Sequence, residues 1–78
     1  MMVTKVKPQD FLERLKSRMS GYTAQMTLST ALIESGLDPK FESELNLDEL
    51  KNLCLELIKK GGPAFQVGQA MYREHLIQ

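Results

Sequence analysis

From Asn46 onward, apolar and polar positions alternate with the period of a helix. Leu47, Leu50, Cys54, Leu57 and Ile58 recur at spacings of three and four, with Leu53 beside them. That spacing lays a continuous apolar face along one side of a helix, and such a face must bury against something. The polar residues specify where this helix starts and stops. Asn46 is a capping residue, and Glu49 stands three positions later, where its carboxylate reaches back to the capping amide. Lys59 and Lys60 suit the negative end of the helix dipole, and Gly61 suits the left-handed closing conformation. Pro63 then reads as the first residue of a final helix. Phe65, Met71, Tyr72 and Leu76 give that helix its bulk, and Ala64 and Gly68 place two small residues one turn apart. Glycine inside a helix costs about 1 kcal/mol relative to alanine, so Gly68 predicts another backbone at close range.

Upstream, Pro8 stands at a helix start, and Phe11, Leu12, Leu15 and Met19 mark one face down to Ser20-Gly21. The segment Tyr22 to Ser35 carries two patterns. Met26, Leu28, Thr30 and Leu32 alternate as in a strand, whereas Tyr22, Met26, Ser29 and Ile33, with Leu32 adjacent, fit a helix. Helix is preferred, because Glu34-Ser35-Gly36-Leu37 has the form of a helix end with a glycine cap and an apolar residue after it, and no partner strand is evident. Asp38-Pro39 reads as a restart, predicting a short helix through Phe41 and Leu45. The expectation is an all-α fold: a small helical bundle of four main helices plus one short connecting helix. It forms a single domain over residues 1–78, with 1–7 as a flexible lead-in and Leu50, Leu53, Leu57 and Phe65 in the core.

At 78 residues, a chain buries only about 60% of the surface its unfolded form exposes, so stability is marginal. No apolar run approaches the roughly 20 residues of a membrane span, which predicts a soluble protein. The lysines near the N-terminus are not followed by an apolar stretch, so no secretory leader is expected and a cytoplasmic location is the default. Net charge is zero, but unevenly laid out. Residues 1–25 carry five basic groups against Asp10 and Glu13, whereas residues 26–56 set seven acidic groups against Lys40 and Lys51. This is not the uniformly basic surface of a nucleic-acid binder. The plain reading is that these are the solvated faces of helices; the sharper one is that the basic and acidic segments attract one another or a complementary partner.

The inventory of reactive groups is thin. Catalysis needs tunable groups brought together, yet the chain has one histidine, His75, near its end, and one cysteine, Cys54, on a packing face rather than at an electropositive helix start. No metal-ligand cluster is apparent, and Glu42 and Glu44 diverge on a helix. Lys59-Lys60-Gly61-Gly62 lacks the phosphate-loop pattern and a preceding strand, so it reads as a helix cap. Leu57 to Tyr72 resembles a helix-turn-helix, with a glycine turn and with Val67 and Met71 following at helical intervals. It departs from that motif at Lys60, where such proteins keep an apolar residue, and its second helix offers little beyond Gln66, Gln69 and Arg73 for bases or phosphates.

A further resemblance runs over about 30 residues. Asn46-Leu47-Asp48-Glu49-Leu50, a cysteine-bearing helix, Gly-Gly-Pro and a third helix look like the MOZART microtubule-organising adaptors. Such a likeness implies a small helical protein that wraps around a partner's helices; the apolar spacing after Pro63 departs from that family's pattern. Met71-Tyr72-Arg73 is similar to the Leu-Tyr-Arg signature of small mitochondrial helical proteins, but lies at the opposite end of the chain.

These observations lead to an expected function as a non-enzymatic protein–protein interaction module: an accessory subunit, adaptor or regulator without cofactor or metal. The partner is another protein or a second copy, and no membrane is involved. A helix-turn-helix-like nucleic-acid-binding regulator is the alternative, and a MOZART-like adaptor a further one. The partner-binding surface is expected on the last helix at Phe65, Met71, Tyr72, Arg73 and Leu76, because aromatic residues, methionine and arginine are enriched in binding surfaces.

Overall fold

The computed structural model describes residues 4–76. Four helices make up most of this span: α1 (Pro8–Lys16), α2 (Gly21–Glu34), α3 (Leu47–Lys60) and α4 (Gly62–His75). The described residues form no strand. The segment Tyr22 to Glu34 is helical, as its end signals predicted, with Ser35 as the C-cap.

Local chemistry accounts for the boundaries. At the start of α1 the Asp10 carboxylate accepts a hydrogen bond from the Lys7 amide at 2.9 Å. Ser20 caps α2, its hydroxyl accepting from the Thr23 amide. At the end of α2, Gly36 takes φ +84, Gly36 N donates to the Ile33 carbonyl and Leu37 N to the Leu32 carbonyl, which satisfies two carbonyls of the last turn. The capping box of α3 is complete: Asn46 Oδ1 accepts from Glu49 N at 2.8 Å, and Glu49 Oε1 from Asn46 N at 2.9 Å. Gly61 alone separates α3 from α4 and has φ +76 and ψ −178, a conformation that is essentially glycine's. Pro63 is the second residue of α4 rather than the first, because Gly62, at φ +57, begins it.

α3 and α4 form a tight hairpin with Leu50, Leu53, Cys54 and Leu57 facing Ala64, Val67, Gly68 and Met71. α1 lies against α4 and α2, and α2 also touches α3. Arg14 meets Glu74 and Arg18 meets Gln66, so the α1 end of the chain and α4 run in opposite directions. Phe11, Leu15 and Leu32 complete the core with Leu45, and no polar side chain among the described residues is buried.

Three expectations change. The short connecting helix is a single turn, in which Phe41 N donates to the Asp38 carbonyl and Lys40 N to Asp38 Oδ1. An aspartate that bonds the amide two residues on, followed by proline, closes a turn as readily as it caps a helix. The lead-in does not trail away over 4–7: Thr4 N donates to the Leu45 carbonyl, Leu45 N to the Val6 carbonyl, and Val6 is buried. The remainder of that expectation, residues 1–3, lies outside the described residues. Phe65 is 38% exposed, because Ala64, Val67, Gly68 and Met71 take the inward face of α4 and Phe65 is turned away from it. On α2, where periodicity left the direction of the faces open, Ala24, Leu28, Ala31 and Leu32 turn inward. The stripe of Tyr22, Met26 and Ile33 is left outside.

The close approach predicted at Gly68 is present. A β-carbon built there would stand 2.7 Å from the Cys54 carbonyl oxygen and 3.0 Å from Leu57 Cβ. The obstacle is backbone, so the helices must move apart to admit it. Gly21 is the opposite case: exposed at the first position of α2, its added carbon would meet only the end of Lys16 at 3.9 Å. We therefore expect Gly68→Ala to lower stability by about 1 to 3 kcal/mol through overpacking. Gly21→Ala should be neutral or stabilising by up to about 1 kcal/mol. Urea denaturation of the two variants checks this, and equal behaviour would contradict it.

Candidate functional site

The five residues expected to bind a partner on α4 do not form one surface. Met71 is fully buried against α3 and cannot meet a partner without unfolding; this corrects its assignment. Its spacing from Ala64 and Val67 places it on the inward face, where its flexible chain fills the core. Tyr72 and Leu76 are half-buried against the core, Phe65 is partly exposed and Arg73 is exposed. Two polar positions on the outer side of α4 are already engaged. Arg14 grips Glu74 with both guanidinium nitrogens, Nη1 donating to Oε2 at 2.7 Å and Nη2 to Oε1. Arg18 Nη1 donates to the Gln66 side chain. The paired hydrogen bonds hold the Glu74 carboxyl below its usual range and raise the Arg14 guanidinium. With Glu74 lowered, the pair's stabilisation is present above the unfolded carboxyl's pKa and is lost as acid protonates Glu74. Both partners are substantially exposed, so the contribution is that of a surface pair.

A different surface stands out on α2. Tyr22 is 75% exposed, Met26 52% and Ile33 58%, and they lie on one stripe of the helix with Ser29 between them. The whole run from Met19 to Ile33 contains no charged residue. This face borders a cleft of about 500 Å³ between the start of α1, the middle of α2 and the 39–42 turn. Pro8, Leu12, Leu28, Leu32, Pro39 and Phe41 give the cleft apolar walls, while Lys7, Gln9, Gln25, Ser29, Lys40 and Glu42 supply its polar groups. The end of α2 at Gly36 and the Asp38 turn together fold the chain back, and so bring Phe41 over α2. Gln25 and Ser29 belong both to the cleft and to the outer flank of α2.

Sequence reasoning found this stripe, because Tyr22, Met26, Ser29 and Ile33 argued for the helix, but did not identify it as a surface. The signal available was the missing charge: an exposed helix face in a chain with 26% charged residues ordinarily carries some of them.

Cys54 is buried and burial alone pushes its thiol up to about 12, the reverse of the depressed value a nucleophile needs. No group of three or more metal-ligating side chains comes together among the described residues. No described helix is long and apolar enough to cross a membrane. Compared with known proteins, the chain matches no family model, no curated protein and no solved structure.

The Cys54 thiol lies where α3 meets α4, so a thiol reagent reports on that contact. In the folded protein at neutral pH, Cys54 is expected to react only as fast as the hairpin opens, and in urea within the mixing time. Following thiolate release from a chromogenic disulfide checks this. Immediate reaction of the folded protein would contradict the packing described.

Proposed function

We propose that this protein is a non-enzymatic, cytoplasmic protein–protein interaction module that binds through the outer face of α2 and the adjoining cleft. The carrying observation is the charge-free stripe of Tyr22, Met26 and Ile33, which a small domain short of core leaves in solvent. Aromatic and methionine side chains are the types that gain most from burial against a partner, and nearby polar groups such as Gln25 and Ser29 provide a hydrogen-bonding rim. The alternative, a nucleic-acid-binding regulator using α4, has less to draw on. Of the outward groups on that helix, Gln66 and Glu74 are held by Arg18 and Arg14, and one of them is acidic.

Co-purification from the native host tests the reading. The chain carrying Tyr22→Ser and Ile33→Ser should lose the proteins or second copies that the unaltered chain retains, with little change in melting temperature, since both side chains are largely exposed. The chain carrying Tyr72→Ala and Arg73→Ala should retain them. The reverse pattern would return the surface to α4. Duplex binding that falls steeply with salt would favour the regulator.

A further inference from the structure

We propose that Ser17, in the turn between α1 and α2, is a phosphorylation site for a protein kinase that selects basic segments, and that its phosphate draws Arg14 and Arg18 off α4. The site does not depend on what the α2 face binds.

Ser17 is the one serine or threonine of the chain with a cation on both sides, Lys16 and Arg18, and Arg14 stands three positions before it. Kinases discriminate among substrates by the charge pattern around the acceptor, and a hydroxyl so placed suits an acidic substrate groove. The other serines lack that setting. Ser43 lies between Glu42 and Glu44, Ser35 follows Glu34, and Ser29 stands in the charge-free run of α2. Ser20 is engaged as the cap of α2, its hydroxyl accepting from the Thr23 amide.

The fold presents Ser17 openly. It is exposed, it is the C-cap of α1, and residues 17–20 lie outside both helices. Its hydroxyl donates only locally, to the Arg14 carbonyl at 2.6 Å, so freeing it disturbs the last turn of α1 and nothing deeper. In the transfer, the Ser17 hydroxyl oxygen attacks the γ-phosphorus of a nucleoside triphosphate, whose bond to the bridging oxygen breaks. The diphosphate leaves, and the hydroxyl proton passes to a carboxylate of the kinase.

The cations that surround Ser17 are the ones that hold α1 to α4. Arg14 grips Glu74 with both guanidinium nitrogens, and Arg18 donates to the Gln66 side chain. Side chains three apart on a helix are neighbours, so a phosphate on Ser17 comes within reach of Arg14, and Arg18 is the next residue. A phosphoserine carries about two negative charges and three strong acceptor oxygens, against one charge on Glu74 and none on Gln66. The Arg14–Glu74 pair is open to solvent on both sides and therefore weak, so a more highly charged neighbour displaces the carboxylate. The phosphate also faces the last carbonyls of α1, where negative charge is disfavoured. The esterified oxygen, finally, has no proton left to donate to the Arg14 carbonyl. Each effect loosens α1 from the α3–α4 hairpin.

Treating the folded chain with ATP and cyclic-AMP-dependent protein kinase, which prefers arginine ahead of its acceptor serine, tests both steps. Peptide mass mapping should place one phosphate on Ser17, and the Ser17→Ala chain should take up none. Phosphorylation should lower the melting temperature of the unaltered chain by about 2 to 5 °C. In a Glu74→Gln chain, where Arg14 has no carboxylate to leave, the loss should be clearly smaller, and phosphatase treatment should reverse it in both. A folded chain that takes no phosphate, or takes it at another residue, overturns the proposal. So does an equal loss of melting temperature in the two chains, or no loss in either.

Discussion

The backbone contact between α3 and α4 at Gly68 is the constraint on which the rest of the molecule depends. A glycine in the middle of a helix weakens that helix, and here the loss is offset by bringing α4 directly over the Cys54 carbonyl. That approach closes Leu50, Leu53 and Leu57 over Val67 and Met71 and excludes water from the Cys54 thiol. The hairpin is short-ranged in sequence, bounded by a complete capping box at Asn46 and joined by one glycine, so most of its information is local. α1 is then fastened across it through Phe11 and Leu15, and the strand-like pairing of Thr4 and Val6 with Leu45 ties the beginning of the chain to the entry of α3.

α2 is attached differently. It enters the core with two alanines and two leucines, so close approach replaces bulk on its inner side. Its larger apolar groups are thereby left for the outside. Moving Tyr22, Met26 and Ile33 inward would require the alanines to face solvent and would overfill a site shaped for small side chains. The apolar outer face is thus a consequence of how tightly the inner face packs. The other helices carry charge on their exposed sides, so the α2 face stands apart in having none between Met19 and Ile33.

What could be read from the sequence follows from how far each signal reaches. Caps and breakers act over three or four residues, so Asn46 with Glu49, the Gly36 termination and the Gly61 junction were all legible. The helix identity of Tyr22 to Ser35 was legible for the same reason. Which way a helix turns its faces depends on neighbours far away in sequence, and there reading was less secure. On α4 the inward stripe runs through small residues, Ala64 and Gly68, while the conspicuous bulk of Phe65 sits beside it. Weighing bulk therefore put Phe65 inside and Met71 outside, the reverse of the packing. On α2 both sides are apolar, so periodicity identified a stripe without a direction. At Asp38-Pro39 one chemistry serves both turn and helix start, and only the downstream chain decides between them.

The central claim is that a rigid α3–α4 hairpin supports a more lightly held α2. Native-state hydrogen exchange measured amide by amide at low protein concentration tests it most directly, because exchange ranks the opening free energy of each element. Amides of α3 and α4 around Leu53–Leu57 and Val67–Met71 should exchange slowest, at rates set by global unfolding, and those of α2 measurably faster. Equal or greater protection of α2 in the monomer would contradict the account, since α2 would then be part of the structural nucleus.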